Sequence, residues 1–191
     1  MTELMAFRKK INNDLGVKYS LNDYVLKATA KALKNNKHIL VSLDGDQIIK
    51  RAHVNIGMAV ALEDGLIVPV IKDADKMSLG EISETARDLA ERARTNKLSM
   101  DEYKGSTFSI SNLGMFGVET FNPIINQPDA GILGVCAVQD ELVMDDAGAI
   151  TKRQFMRISF TFDHRLIDGA TAAKFELAIR DLMEHPMQIL L

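Results

Sequence analysis

The sequence predicts one α/β domain, a two-layer mixed β-sheet packed by helices. Three observations lead there. Apolar residues recur at helical spacing in four stretches, and they alternate or run continuously in the stretches between. Asp-Gly turn signals join neighbouring strand-like runs into hairpins, so the sheet should be mixed rather than wholly parallel. No linker rich in proline, glycine or serine divides the 191 residues, and no repeat or low-complexity tract is present.

Each element has its own signal. "TELMAFRKKINNDLG" reads as a helix capped by Thr2, with Leu4, Phe7 and Ile11 at helical spacing. "SLNDYVLKATAKALKNN" reads as a second helix, started by Ser20 with Asp23 at the capping-box position. Its apolar stripe is Leu21, Tyr24, Val25, Ala28 and Ala32. "HILVSLDGDQIIKRA" is a hairpin around an Asp-Gly turn. "VNIGMAVALEDGLIVPVIKDA" repeats the scheme around Asp64-Gly65, with Pro69 interrupting the second run. "SLGEISETARDLAERARTNKL" is a charged amphipathic helix capped by Ser78, whose buried stripe is Ile82, Ala86, Leu89 and Ala93. "STFSISNLG" alternates and breaks at Gly114, "AGILGVCAV" is a strand buried on both faces, and "QFMRISFTFDH" alternates strictly. "GATAAKFELAIRDLMEH" closes the chain as a helix.

Composition narrows the function classes. With 23 basic and 26 acidic residues the net charge is −3, so there is no basic field for nucleic acid. The one cysteine, Cys136, lies in an apolar run, where a small buried hydrophobe outweighs a nucleophile. A lone cysteine suits a reducing compartment, a bacterial cytoplasm or a mitochondrial-matrix-like space. No run approaches the roughly 20 apolar residues of a membrane span, so no membrane partner is expected. "MTELMAFRKK" opens polar and helical, unlike a secretory leader.

The densest titratable cluster is "SFTFDHRLIDGA", residues 159–170. Strand alternation puts Ile158, Phe160 and Phe162 on one face, His164 arrives as the strand ends, and Gly169 allows an unusual backbone angle before the last helix. His164 and Asp168 stand four apart, so one helical turn would bring both side chains to one side. Three roles compete for His164. As a metal ligand it is poorly supported, because His38, His53 and His185 lack ligand spacing to it. A structural histidine bonded to Asp163 or Asp168, and a general base, both stay open. No G-x-S-x-G elbow is present.

"DGLIVPVIKDADKMSL", "GSTFSISNLGMFGVETFNPIINQPDAGILGVC" and "SFTFDHRLIDGATAAKF" resemble, in order, blocks of the catalytic domain of dihydrolipoamide acyltransferases, the cores of 2-oxo-acid dehydrogenase complexes. The resemblance implies a chloramphenicol-acetyltransferase-like fold and transfer of an acyl group between dihydrolipoyl-lysine and coenzyme A. Thioester exchange needs a thiolate, and by resemblance His164 is the base that makes it. The tetrahedral oxyanion needs an aimed donor, and the matching hydroxyl is Ser111. Ser109, on the same strand face, is easily confused with it, and Asn112 is a further donor. Asp168 is carried over as the third catalytic-site residue, either orienting His164 or, by preference, holding the loop through an arginine or backbone donors. Asp163 and Arg165 read as a structural ion pair. Asp64, Asn122 and Leu133 match positions lining the coenzyme A channel; turn former, polar loop residue and core leucine are their plain readings.

The family site lies between subunits of a homotrimer, with His164 of one copy meeting Ser111 of the next. Such trimers build larger cubic or dodecahedral cores, and the apolar tail "MQILL" suits that. The implied cofactors are coenzyme A as substrate and a lipoyl group carried on another domain or chain, with no metal. The implied partners are lipoyl domains and other dehydrogenase-complex components. The chain lacks the helix and strand with which family catalytic domains open, so residues 1–191 read as an N-terminally truncated catalytic domain without lipoyl or subunit-binding domains. "NLGMFG" resembles acetyl-handling members, with Met115 and Phe116 either walling a small acyl pocket or lying in the core. Two rivals remain: a non-catalytic scaffold and a chloramphenicol-type O-acetyltransferase.

Overall fold

A computed structural model describes residues 1–145 and 147–191. The helices come first. α1 (Thr2–Leu15) and α2 (Leu21–Asn35) are joined by a turn in which Gly16 takes a left-handed conformation, as helix ends favour. Ser20 and Asp23 form the expected capping box at α2. Thr2 does not cap α1. It is the helix's first residue, and its hydroxyl instead accepts the backbone N–H of Gln154, a tertiary contact that local sequence cannot announce.

Two short ribbons follow. β1 (Val41–Asp44) pairs with β2 (Gln47–Lys50) across Gly45-Asp46. β4 (Val60–Leu62) pairs with β5 (Gly65–Ile67) across Glu63-Asp64, one residue earlier than the Asp-Gly signal suggests. Between and after them lie β3 (Ile56–Met58) and β6 (Val70–Ile71), with Pro69 separating β5 from β6 as expected. α3 (Leu79–Arg94) starts at a second capping box, Ser78 with Glu81.

The central sheet has the order β6-β3-β7-β8-β9, completed by β7 (Phe108–Asn112), β8 (Gly131–Met144) and β9 (Ile150–Phe162). β3, β7 and β8 run parallel, while β6 and β9 pair antiparallel at either side, so the sheet is mixed. α4 (Gly169–Glu184) and α5 (Met187–Leu190) close the chain. α2 packs against α3, α4 and α5, which is why it is buried nearly all round rather than along one stripe. Phe160 of β9 sits among Phe108, Phe162 and Phe175 at ring separations of 5.7, 5.2 and 5.3 Å. That cluster seals the helices to the sheet face carrying Phe108, Ile110 and Leu133. No helix among the described residues is long and apolar enough to cross a membrane.

Candidate active site

The site begins at the end of β7. Successive strand side chains point to opposite faces, so Phe108, Ile110 and Asn112 face the helices while Ser109 and Ser111 face the other side. The two serines differ in their surroundings. Ser109 is 1 % exposed and donates to Asp129 Oδ2 at 2.6 Å, while Asn126 Nδ2 donates to its oxygen at 3.2 Å. Ser111 is half-buried, and its hydroxyl has no hydrogen-bond partner among the described residues. Of the two, only Ser111 has a hydroxyl free to serve a substrate. Asn112 is committed: its Oδ1 accepts from Gly114 N at 2.9 Å and its Nδ2 donates to Asn22 Oδ1 at 2.8 Å. Gly114 is required there, since a Cβ would lie 2.7 Å from the Cys136 carbonyl oxygen.

The second group lies past the end of β9. The Asp163 N–H donates to Ala130 O at 2.8 Å, and the turn that follows exposes His164, whose ring packs 5.6 Å from that of Phe162. Arg165 holds Asp163 through its Nε and Nη2, at 2.9 and 2.6 Å, and these bonds keep the carboxyl below its ordinary range. Asp168 makes no hydrogen bond or ion pair with His164. It is the N-cap of α4, accepting from Thr171 N and Thr171 Oγ1 at 2.9 Å each, and those bonds lower its pKa. Gly169 is the first residue of α4 and carries no left-handed angle, contrary to expectation. Aspartate capping alone explains the junction.

One chain does not bring His164 to Ser111. Ser111 pairs with Gly134, which pairs with Ser159 of β9. From Ser159 the strand runs three more residues to Phe162, roughly 10 Å along the sheet, and two strand spacings add about 10 Å across it. His164 lies beyond that end.

The other expected positions are scattered. Asp64 is exposed in the β4–β5 turn, and Asn122 is exposed in the loop before β8. Leu133 is 0 % exposed and belongs to the core, so its side chain is closed to any channel in this chain. Met115 and Phe116, 78 % and 65 % exposed, are not core residues. They stand at a cavity of about 790 Å³ whose lining also includes Asn22, Met58, Arg87, Ser111 and Asn112. Cys136 is buried, and that burial raises its thiol pKa, which leaves it a poor nucleophile. No group of three or more potential metal ligands occurs among the described residues.

Residue pattern alone does not single out Asp129. It is 4 % exposed, accepts from Ser106 Oγ at 3.0 Å as well as from Ser109, and burial pushes its carboxyl up to about 6. Its neighbour Ala130 supplies the carbonyl that anchors the His164 turn.

Comparison with known proteins gives the chain's family. Residues 1–191 match the profile of the 2-oxoacid dehydrogenases acyltransferase (catalytic domain) family. All of the chain aligns with the acetyltransferase component of the pyruvate dehydrogenase complex of Zymomonas mobilis, at 43 % identity over 44 % of that protein. It aligns at 40 % with the succinyltransferase component of the 2-oxoglutarate dehydrogenase complex of Rickettsia bellii, over 48 % of that protein. The chain thus spans less than half the length of these relatives. Among solved structures, Azotobacter vinelandii dihydrolipoamide acetyltransferase superposes with a TM-score of 0.90 at 40 % identity, covering 100 % of this chain and 80 % of that one. That enzyme's serine, histidine and asparagine were investigated for roles in its catalytic mechanism, the asparagine four residues after the histidine. The cubic core of the pyruvate dehydrogenase multienzyme complex matches equally, at 40 % identity, TM-score 0.90 and the same coverage. Chloramphenicol acetyltransferase, at 14 % identity, TM-score 0.58 and coverage of 92 % of this chain and 82 % of that one, shares the fold alone. The chain belongs to the 2-oxoacid dehydrogenase acyltransferase catalytic-domain family.

Proposed function

We propose that this chain transfers an acyl group, acetyl by preference, between dihydrolipoyl-lysine and coenzyme A in the core of a pyruvate or acetoin dehydrogenase complex. His164 takes the proton from the attacking thiol. The thiolate adds to the thioester carbonyl, Ser111 donates to the resulting oxyanion, and the departing thiolate recovers the proton from the imidazolium. Asp168 serves by fixing the junction of turn and helix, a task asparagine performs equally well as a cap, in line with the residue at the corresponding spacing in the Azotobacter enzyme. The serine-to-histidine spacing in that enzyme is one residue shorter than Ser111 to His164, which favours Ser111 over Ser109.

The observation that carries this reading is the separation of two groups that have no hydrogen-bond partner among the described residues. An exposed imidazole and a free hydroxyl lie too far apart within one chain, so a complete site needs a second copy of it. A closed homotrimer supplies one such pairing at each interface. Coenzyme A and a lipoyl group borne on another domain or chain are the two substrates, and the exposure of Asp64 and Asn122 in their loops supports their contacting coenzyme A at the mouth of its channel. Leu133 serves as packing beneath it. A reducing compartment, cytoplasmic or mitochondrial, suits a mechanism that needs free thiols. The test is steady-state transfer from acetyl-, succinyl- and isobutyryl-coenzyme A to dihydrolipoamide. Acetyl should be preferred; no transfer from any of the three would overturn the assignment.

A further inference from the structure

The end of β7 is held unequally on its two sides. Pairing with β8 runs on to Asn112, but pairing with β3 ends at Ile110, where the Ala59 N–H donates to Ile110 O at 2.9 Å. Beyond that point β3 has turned away toward β4. Ser111 therefore sits where the ladder supports the strand from one side only. Besides β8, this end of the strand is tied to the helix layer by a side-chain bridge. Asn112 Nδ2 donates to Asn22 Oδ1 at 2.8 Å, spanning 90 residues of sequence from β7 to the first turn of α2. The same Asn112 side chain accepts from Gly114 N, so the turn after the strand is tied to the bridge as well.

We infer that Asn22 is a positioning residue for Ser111, acting through Asn112. The step from one to the other is the strand pleat. Adjacent side chains point to opposite faces, so fixing Asn112 against α2 fixes the direction in which Ser111 presents its hydroxyl. α2 is a firm anchor, because its N-terminus is capped by Ser20 and Asp23, and Asp23 is bonded in turn by Ser83 of α3 at 2.8 Å. None of those bonds uses Asn22, whose removal leaves the cap intact. An oxyanion donor must be aimed closely, and a misplacement of about 1 Å can lower a rate about a hundredfold. The inference rests on Ser111 acting as that donor.

The experiment is a double-mutant cycle on the full-length protein, assayed with acetyl-coenzyme A and dihydrolipoamide. Asn22→Ala should lower kcat about tenfold while KM for acetyl-coenzyme A moves less than about twofold, since the aimed hydroxyl matters only in the transition state. Asn22→Gln, which displaces the amide by one methylene, should act alike and serves if the alanine variant folds poorly. Asn22→Asp keeps an acceptor for the Asn112 amide and should restore the rate. In the Ser111→Ala background, Asn22→Ala should slow the enzyme no further. A wild-type kcat for Asn22→Ala, or losses that multiply in the double variant, would overturn the inference while leaving Ser111 in place. A wild-type rate for Ser111→Ala alone would instead overturn the role of Ser111, and this inference with it.

Discussion

Ser109 donates to the buried Asp129 carboxylate at 2.6 Å, whereas Ser111, two residues on and on the same strand face, is bonded to nothing among the described residues. The pair should therefore separate cleanly under mutation. Ser111→Ala should lower acyl transfer about a hundredfold, the usual effect of losing one oxyanion donor, with its melting temperature little changed. Ser109→Ala should do the reverse, costing about 1–3 kcal/mol by leaving a buried carboxyl short of a partner. Rates and thermal melts on the two variants check this. Loss of transfer in Ser109→Ala at unchanged stability would exchange the two roles.

Asp129 makes stability depend on pH in a direction opposite to most carboxylates. Burial raises its pKa from 3.8 to about 6, so the folded protein holds the proton more tightly than the unfolded chain does. The stabilisation is fully present below about pH 4 and is lost as pH rises through about 6, a change on the order of 3 kcal/mol. Asn at this position cannot ionise. Urea denaturation of wild type and Asp129→Asn at about pH 4 and pH 7 should show the wild type losing ground to the variant as pH rises. A wild type that gains ground would mean that the two serine hydroxyls outweigh burial.

What was legible in the sequence was local. Ser20 with Asp23 and Ser78 with Glu81 lie three residues apart, and both capping boxes form as their spacing requires. The stripe Ile82, Ala86, Leu89 and Ala93 is buried for the same reason. Thr2 misled because its hydroxyl is claimed by Gln154, 152 residues away. Ser109 and Ser111 could not be told apart by alternation, since the difference is Asp129, twenty residues downstream and brought in by tertiary folding. Asn22 was silent for the same reason: its partner lies across the sheet. The order β6-β3-β7-β8-β9 depends on crossovers, which hydrophobic period does not encode. Family resemblance, not spacing, linked His164 to Ser111.

Asp168 offers a test of cap against charge. Its carboxylate receives Thr171 N and Thr171 Oγ1 and makes no hydrogen bond or ion pair with His164. Asparagine caps helices as well as aspartate, while alanine loses about 1 kcal/mol. Asp168→Asn should keep most of the transfer rate and the melting temperature; Asp168→Ala should lose both in part. Equal damage from the two variants would show that the negative charge itself is needed beside the imidazole.

His164 and Ser111 can be tested for shared duty without a structure of the assembly. His164→Ala should reduce acetyl transfer about a hundredfold or more with the oligomer intact, since general-base catalysis contributes about that much. Ser111→Ala should also be slow on its own. If each site takes His164 from one copy and Ser111 from the next, a trimer mixing the two variants contains some interfaces with both groups intact. Random assembly at equal amounts gives both groups to one interface in four, so about a quarter of wild-type activity should return on unfolding and refolding the variants together. Variants refolded separately and then combined should stay inactive as long as subunits do not exchange. If co-refolding restores nothing while wild type refolds to full activity under the same conditions, the two groups must serve one chain, and the roughly 10 Å of strand between their levels would have to close by a movement of the His164 turn.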